Sequence, residues 1–267
     1  MKNEAIGIFD SGVGGLTVMK QIVCLLPNED IVYFGDTARL PYGEKSPETI
    51  IRYMIENSTF LLKHKIKVLV IACNTASAHA LQELKNRLQI PVIEVICPGA
   101  EKAVLVTKNK RIAVLGTRGT INSGAYQKEI ERRMPGSFVL SIPCPLLVPL
   151  VEENFIDHPV TRMIIKEYLK PIKEQSIDTV LLGCTHYPLL KEVMQDELGS
   201  EITIVDSASI CAENLQSILF EKDLLNTKSN SVHRYFVSDD PMKFSSLGGA
   251  FFGRPIENVK NQCDCTA

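Results

Sequence analysis

Short runs of apolar residues alternate along the chain with longer segments in which apolar residues recur every three or four positions. The short runs are typical of buried strands, and the longer segments are typical of helices with one apolar face. The predicted strands are Ala5–Phe9, Ile31–Phe34, Val68–Ala72, Pro91–Ile96, Arg111–Leu115, Phe138–Ser141, Thr179–Leu182, Ile202–Val205 and, after a polar linker at 226–232, a final strand His233–Val237. The predicted helices are Leu16–Leu26, Pro47–Lys63 (capped by Ser46), Ser77–Arg87, Gly99–Thr107, Gly119–Met134, Pro159–Gln175, Leu189–Leu198 and Ser207–Phe220. This alternation predicts an α/β protein with parallel strands and helices on both faces.

Two pairs of segments indicate an internal repeat. Ile6–Asp10, which precedes a glycine-rich turn, resembles Ile112–Gly116, which precedes Thr-Arg-Gly-Thr. Val68–Thr75, which ends in Cys-Asn-Thr, resembles Val180–His186, which ends in Cys-Thr-His. The first pair alone could reflect the ordinary similarity of α/β strands. The second pair matches in strand, cysteine and hydroxyl residue, so we favour two similar α/β units related by a pseudo-twofold axis.

Composition and charge narrow the possible functions. The chain has 267 residues, of which 45% are hydrophobic and 22% charged, which suits one large domain or two domains of about 100–150 residues. The net charge of −2 leaves no basic excess to hold a phosphate backbone, which disfavours a dedicated nucleic-acid-binding protein. No apolar run reaches the roughly 18 residues that span a bilayer, and the first residues do not resemble a signal peptide. We therefore expect a cytoplasmic protein.

The eight cysteines do not predict disulfides. A chain of this length can form a core without them, and the reducing cytosol would not maintain them. Four cysteines in or beside apolar segments are expected to be small buried core residues: Cys24, Cys97, Cys144 and Cys211. Cys263 and Cys265, in the polar tail, are given no role. Cys73 and Cys184 differ from the others because each stands at the end of a predicted buried strand, before a turn into a helix.

Turns at the carboxyl ends of four predicted strands carry polar side chains, and ligands of open parallel sheets bind at this edge. These turns are Asp10–Gly15, Gly35–Gly43, Cys73–Ala76 and Cys184–His186. The first turn lacks the spacing of a dinucleotide-binding loop and the Lys-Ser/Thr of a P-loop, so it does not predict nucleotide binding. Its glycines could expose N–H groups to a small carboxylate at a helix N-terminus, or they could form only a tight turn.

Cys73 and Cys184 are the strongest candidates for chemistry. A helix N-terminus is expected to lower the pKa of each thiol. His186 could exchange a proton with Cys184, and Asp10, from a neighbouring strand end, could assist Cys73. A zinc site made of the two thiols and His186 would be incomplete, and a Cys-His hydrolase would leave one thiol unexplained. Two thiols have a specific use in inverting a carbon stereocentre, because one removes a proton from one face while the other delivers a proton to the opposite face.

Five segments in this order resemble glutamate racemases, the cofactor-independent enzymes of the aspartate/glutamate racemase superfamily: IGIFDSGVGGL, YFGDTARLPYG, IACNTASA, CPLLVPLVEEN and LLGCTHYPLL. The resemblance extends to about residue 260 and implies two flavodoxin-like, three-layer α/β domains with the active site between them. The first domain would hold residues 1–97 and 207–267, and the second would hold residues 98–206. The resemblance also implies a bacterial source and the conversion of L-glutamate to D-glutamate for peptidoglycan synthesis, without a cofactor or a metal.

The resemblance implies roles for individual residues. Cys73 and Cys184 match the two catalytic bases, acting on D-glutamate and L-glutamate respectively. The other catalytic groups implied are Asp10 beside Cys73, His186 and Glu152 beside Cys184, and a further acid, Asp36. Substrate contacts would come from the two cysteines, Asp10 and His186, together with Ser11, Pro41, Tyr42, Gly43, Asn74, Thr75, Thr117, Thr120 and Thr185. Without the resemblance, Glu152 could be a solvated carboxylate, Asp36 could bond its own backbone, and Tyr42 could be turn packing.

Other functions stay open at this point. A decarboxylase of the same superfamily would use a single cysteine, and a carboxylate-binding protein without activity would need no pair of thiols. Aspartate racemase is the nearest alternative, because the extra methylene of glutamate is worth only about 1–3 kcal/mol in a pocket. The expected partners are the small-molecule substrate and a second copy of the chain in a homodimer, with no nucleic acid and no membrane. Because no extension precedes the first strand, we do not expect the activation by a cell-wall precursor that the resemblance implies for longer relatives.

Overall fold

The computed structural model describes residues 2–265, with side chains described as far as residue 263. The strands are β1 (Ala5–Asp10), β2 (Ile31–Gly35), β3 (Ile66–Ile71), β4 (Val92–Glu94), β5 (Arg111–Gly116), β6 (Phe138–Pro143), β7 (Thr179–Gly183), β8 (Thr203–Asp206), β9 (His233–Val237) and β10 (Lys260–Asn261). The α-helices are α1 (Leu16–Leu25), α2 (Pro47–Lys63), α3 (Asn74–Arg87), α4 (Ile96–Val106), α5 (Arg118–Ser123), α6 (Ala125–Arg133), α7 (Leu147–Glu152), α8 (Pro159–Glu174), α9 (Lys191–Leu198), α10 (Ser207–Glu221) and α11 (Pro241–Phe252). The predicted alternation of strands and helices is confirmed.

The strands form two parallel sheets, which confirms the predicted fold class. The first sheet has six strands in the order β10-β9-β2-β1-β3-β4, and the second has four in the order β6-β5-β7-β8. All the pairings are parallel. The order β2-β1-β3-β4 of the first sheet recurs in the second as β6-β5-β7-β8. This shared order agrees with the internal repeat, because the strands before Cys73 and Cys184 are the corresponding strands β3 and β7.

Alternate side chains of the central strands enter different parts of the core. Ile6 and Ile8 of β1 belong to a large apolar cluster that also contains Leu115 of β5 and Leu182 of β7, so the two sheets share this part of the core. Phe9, on the other side of β1, packs in a cluster beneath α2 and α3. A third cluster covers the other face of the second sheet. Because each central strand is buried on both faces, its sequence is a nearly continuous apolar run.

The structure places the two thiols where parallel sheets commonly bind ligands. In each sheet the chain leaves the central pair of strands in opposite directions, β1 toward β2 and β3 toward β4 in the first, and β5 and β7 correspondingly in the second. Such a switch point leaves a crevice beyond the carboxyl ends of the strands. Cys73 follows β3 and Cys184 follows β7, so each sheet contributes one thiol at its own switch point.

Some predictions about the elements, and one about the burial of a cysteine, were wrong. The segment Gly119–Met134 forms two helices, α5 and α6, because Gly124 adopts φ +64° between them. Helix α7 was missed because its segment contains prolines, and α11 was missed because it contains two adjacent glycines. His233–Val237 is therefore not the last element. Cys24 is exposed rather than buried, because Met19 and Ile22 set the buried face of α1.

The predicted domain limits are not tested and stay a prediction. The limit between residues 97 and 98 falls inside α4, which packs against β7 and β8 of the second sheet. The limit between residues 206 and 207 falls between β8 and α10, and α10 packs against both α1 and α4. Within the described residues, no helix is both long enough and apolar enough to cross a membrane.

Candidate active site

A cavity of about 300 Å³ lies between the two sheets and contains both thiols. Twelve predicted site residues line it: Ser11, Pro41, Tyr42, Gly43, Cys73, Asn74, Thr75, Thr117, Glu152, Cys184, Thr185 and His186. Three predicted site residues lie behind the lining: Asp10, Asp36 and Thr120. The lining residues not predicted are Leu40, Glu44, Pro145, Val148, Pro149, Glu153 and Gly183. Most of these residues are neighbours in sequence of a predicted site residue. Pro145 lies just before α7, and Val148 and Pro149 lie in α7, a helix that the sequence pattern did not reveal.

Cys73 is buried at the N-terminus of α3. Its thiol donates to Ser11 Oγ at 3.5 Å, and the backbone N–H groups of Thr75 and Ala76 point toward its sulfur. Burial, together with the negative charge of Asp10, nevertheless raises the pKa of Cys73 to about 11. The expected lowering of the pKa by the helix N-terminus is therefore outweighed. The free-energy cost of removing a thiolate from water exceeds the stabilisation that the two N–H groups provide.

Cys184 begins a chain of acid–base groups. Its Sγ lies 4.0 Å from His186 Nδ1, and His186 Nε2 lies 3.0 Å from Glu152 Oε1. Pairing with a carboxylate favours a proton on Nε2, which leaves Nδ1 able to accept the thiol proton. Burial, with added repulsion from Cys73, raises the pKa of Cys184 above that of an ordinary thiol. The predicted helix start is also different here, because Cys184 precedes a short 3₁₀ helix, Tyr187–Leu190, rather than an α-helix.

Glu152 is held in its charged form. Burial acts to raise the pKa of Glu152, but the hydrogen bond and positive charge of His186, with a smaller contribution from Lys243, lower it below its usual value. A carboxylate in this state accepts the Nε2–H bond at neutral pH and stabilises the imidazolium that forms when Nδ1 takes a proton. Glu152 is therefore placed to hold the orientation of His186 and would favour proton transfer from Cys184 to Nδ1.

Asp10 is fully buried at the carboxyl end of β1, the strand beside β3. Its Oδ2 accepts the backbone N–H of Gly12 at 2.9 Å, and its Oδ1 has no hydrogen-bond partner among the described residues. An N–H group of the glycine-rich loop thus binds a carboxylate, but this carboxylate is the side chain of Asp10 and not that of a ligand. Burial raises the pKa of Asp10, so this group accepts a proton more readily than an exposed aspartate.

Polar groups of both sheets meet along one side of the cavity. Thr75 Oγ1 lies 2.9 Å from Thr117 Oγ1 and 3.1 Å from Thr120 Oγ1. Asn74 Oδ1 accepts from Tyr126 at 2.6 Å, whereas the buried Asn74 Nδ2 has no partner in the described part of the chain. None of the described lining residues is a lysine or arginine. An anionic ligand would therefore be held by neutral hydroxyl and amide donors.

Asp36 does not reach the cavity. Its buried carboxylate accepts hydrogen bonds from Tyr42 at 2.5 Å, Asn57 at 3.0 Å and Ser238 at 2.9 Å, and it pairs with Arg39. Since Tyr42 lines the cavity, the geometry gives Asp36 the role of orienting that wall. Burial and the charge of Asp36 raise the pKa of Tyr42, which keeps its hydroxyl protonated as a donor to Asp36.

The seven cysteines whose side chains are described are free thiols. Cys144 and Cys211 are buried, as predicted, and Cys97 is partly buried. The side chain of Cys265 lies outside the described residues. Among the described side chains, no group of three or more histidine, cysteine or acidic residues is arranged to hold a metal ion.

The raised pKa of Cys73 predicts how its alkylation depends on pH. Because the thiolate is the nucleophile and the pKa is about 11, the rate should rise about tenfold per pH unit from pH 7 to pH 9 and should not level off below pH 10. The measurement is mass spectrometry of the Cys73 peptide after timed exposure to iodoacetamide, with the exposed Cys263 as the reference for reagent quality. A plateau below pH 8 would show that the helix N-terminus outweighs burial.

Comparison with known proteins gives consistent matches along nearly the whole chain. Residues 6–215 match the family model described as Asp/Glu/Hydantoin racemase. A glutamate racemase of Geobacter metallireducens is 51% identical over 96% of this chain and 95% of its own length. The crystal structure of a glutamate racemase from Bacillus anthracis has a TM-score of 0.94 and 42% identity, covering 97% of both chains. A glutamate racemase from Francisella tularensis, in complex with D-glutamate, has a TM-score of 0.92 and 40% identity, again over 97% of both chains.

Proposed function

The chain belongs to the Asp/Glu/hydantoin racemase family, and on this basis we propose that it is a glutamate racemase, an isomerase that interconverts L-glutamate and D-glutamate. The observation that carries the proposal is the thiol pair. Cys73 and Cys184 follow corresponding strands of two sheets and line a single cavity. A decarboxylase would use only one of these cysteines, and a protein that only binds a carboxylate would use neither. Neither function explains why both sheets place a cysteine in the cavity.

In the proposed reaction the two thiols act on opposite faces of the α-carbon. One cysteine, as thiolate, takes the α-proton, so that a C–H bond breaks, an S–H bond forms and the electron pair stays on the α-carbon. The other cysteine, as thiol, then gives its proton to that carbon from the opposite face and becomes the thiolate. Protons and charge balance, and the reverse reaction exchanges the two roles. The substrate's ammonium group favours the thiolate, which offsets the burial that raises both thiol pKa values.

The two thiols have different assisting groups, which supports distinct roles for them. Cys184 is followed by His186 and Glu152, a relay that can accept and return a proton. Cys73 has Ser11 Oγ at 3.5 Å and the buried carboxylate of Asp10 nearby. We propose that Cys184 acts on L-glutamate and Cys73 on D-glutamate, with Asp10, His186 and Glu152 as assisting acid–base groups.

The carboxylates of glutamate fit the neutral donors of the cavity. Asn74 Nδ2 lacks a partner, and the hydroxyls of Thr75 and Thr117 bond only to one another and to Thr120 within the described residues. A bound carboxylate would satisfy these donors, and a buried donor that lacks a partner costs roughly 1–3 kcal/mol. We propose these residues as substrate contacts, with Ser11, Pro41, Tyr42, Gly43 and Thr185 completing the wall and Thr120 supporting it from behind.

Circular dichroism of free glutamate tests the proposed function directly. Purified protein dialysed against EDTA and hydroxylamine should convert either enantiomer to the racemic mixture, because the thiols supply both the acid and the base. Aspartate should be converted more slowly, by about 10-fold or more for the missing methylene. Loss of activity that pyridoxal phosphate or zinc restores would overturn the cofactor-free reaction. Faster conversion of aspartate than of glutamate would favour the aspartate racemase alternative.

Three further properties stay predictions. They are the supply of D-glutamate for peptidoglycan synthesis, a cytoplasmic location and assembly as a homodimer.

A further inference from the structure

The two thiols are held in place in different ways. Cys73 is contacted by Ser11 and by the N–H groups at the start of α3. These groups lie in loops and helices of the first sheet, the same sheet whose strand β3 precedes Cys73. The turn Cys184–His186 follows β7 of the second sheet. Three segments that belong with the first sheet nevertheless contact this turn: the loop after β1, helix α1 and helix α11. The alignment of Cys184 and His186 therefore depends on the other half of the molecule.

Thr17, in the first turn of α1, makes the polar part of this contact. Its side chain is 7% exposed, and its Oγ1 lies 2.9 Å from the carbonyl oxygen of Gly14 and 3.1 Å from that of Thr185. A hydroxyl has one proton to donate, so the two carbonyls share it. The Thr185 carbonyl belongs to the peptide that joins Thr185 to His186. A bond to this carbonyl limits rotation of that peptide and so limits the direction in which the imidazole points.

Close packing completes the contact. A Cβ atom on Gly14 would lie 2.3 Å from Thr185 Oγ1 and 2.5 Å from His186 Nδ1, so the loop approaches the turn as closely as a glycine allows. The ring of Phe251 in α11 also meets the His186 ring edge-on, with the centroids 5.1 Å apart. The imidazole thus packs against two elements of the opposite half, and Thr17 supplies the directional bond.

We propose that Thr17 is a positioning residue for the reaction, which aligns the Cys184–His186 turn from across the interface between the two halves. The proposal rests on the proposed glutamate racemase function. Any movement that separates the halves breaks the Thr17 bond and frees the turn, whereas the contacts of Cys73 stay intact. Thr17 acts only through the turn, since it does not line the cavity.

Replacement of Thr17 by valine keeps the shape of the side chain and removes the hydroxyl. We expect kcat to fall between about 3-fold and 30-fold in both directions, with a smaller change in KM, because a misaligned turn affects proton transfer more than binding. Thr17→Ser, which restores the hydroxyl, should recover most of the rate. Thr179→Val is the matched control. Thr179 is also buried, and among the described residues its hydroxyl bonds only Asp178. Thr179 is the first residue of β7, whereas Cys184 follows the last residue of that strand.

The primary isotope effect of α-deuterated substrate distinguishes positioning from a general loss of structure. If Cys184 transfers protons more slowly, abstraction from its own enantiomer becomes more rate-limiting, while abstraction by Cys73 becomes more reversible. The isotope effect on kcat/KM should therefore increase for L-glutamate relative to D-glutamate in Thr17→Val and stay unchanged in Thr179→Val. An unchanged ratio of the two isotope effects, or an equal loss of rate in Thr17→Ser and Thr17→Val, would overturn the proposal. Absence of racemisation by the unaltered protein in the same assay would instead refute the proposed function.

Discussion

Replacement of either Cys73 or Cys184 by alanine is expected to abolish racemisation, with a loss of at least about 10²–10⁴-fold, the range typical of a general acid–base group. The loss should be as severe for one thiol as for the other, because each direction of the reaction uses one thiol as base and the other as acid. Both side chains are buried and small, so the fold should survive the change, as far-ultraviolet circular dichroism can verify. Cys211→Ala, at a buried thiol that does not line the cavity, is the matched control and should retain activity.

Isotope labelling in D₂O gives the same hypothesis a second test with the unaltered protein. The thiol that donates to the α-carbon has exchanged with solvent between turnovers, so the first D-glutamate formed from L-glutamate should carry deuterium. The remaining L-glutamate should carry almost none, because its return delivers the proton that was just removed. Early deuterium in the recovered L-glutamate, or near-normal racemisation by either alanine variant, would refute the two-thiol mechanism.

Substitution of Gly14 by alanine is expected to reduce kcat/KM by about 100-fold, since misplacement of a catalytic group by about 1 Å can have an effect of this size. The added methyl would lie within 2.6 Å of three atoms, Thr185 Oγ1 together with Nδ1 and Cε1 of His186. These atoms belong to the turn that carries Cys184, so the side chains of Thr185 and His186 must shift from the positions they occupy beside Cys184. The change should leave secondary structure intact, because the overlap lies between the two halves rather than inside either core.

Gly249→Ala is the control for this substitution. Gly249 lies in α11. Among the described residues outside the helix's own neighbouring backbone, an added Cβ there would have only the Arg254 carbonyl within 4 Å, at 3.9 Å. Alanine is also the better helix former, by about 0.8–1 kcal/mol. We therefore expect full activity and a slightly higher melting temperature from Gly249→Ala. Activity within about threefold of the unaltered protein in Gly14→Ala would show that the turn tolerates displacement and that the close approach has no catalytic importance.

The central strands could be predicted because burial on both faces requires apolar residues at nearly every position, which is visible in the sequence. Strands β3 and β7 are apolar over most of their length, and a cysteine follows each within two residues, so the sequence pattern located both the strands and the thiols. The elements that were missed lack such a signal. Helix α11 has two adjacent glycines, which locally disfavour a helix, and it forms because Phe244, Phe251 and Phe252 pack into the core. Tertiary packing of this kind outweighs local propensity and is not visible in a short segment.

The electrostatics of the site were less predictable than its composition. The sequence predicted a helix after Cys73, although its start was placed at Ser77 and it begins at Asn74. The pKa of the Cys73 thiol depends on how completely the thiol is removed from water, which the whole fold determines. Asp36 illustrates the same limit, because its partners Asn57 and Ser238 are distant in sequence and together leave its carboxylate behind the wall of the cavity. Contacts between the two halves, such as that of Thr17 with Thr185, join residues 168 positions apart and leave no local pattern.

The strand order that the two sheets share suggests a simple evolutionary origin for the pair of thiols. One half-length ancestor with the order β2-β1-β3-β4, associated with an identical copy about a twofold axis, would already present two equivalent strand-end cysteines to one cleft. Fusion of the two copies into a single gene then allows each half to diverge without altering the other. In this chain Asp10 lies near Cys73 and His186 lies beside Cys184, and among the described residues β9 and β10 extend the first sheet without a counterpart in the second. An ancestral site that could not distinguish the two faces of its substrate would thus have become one that treats them by different chemistry.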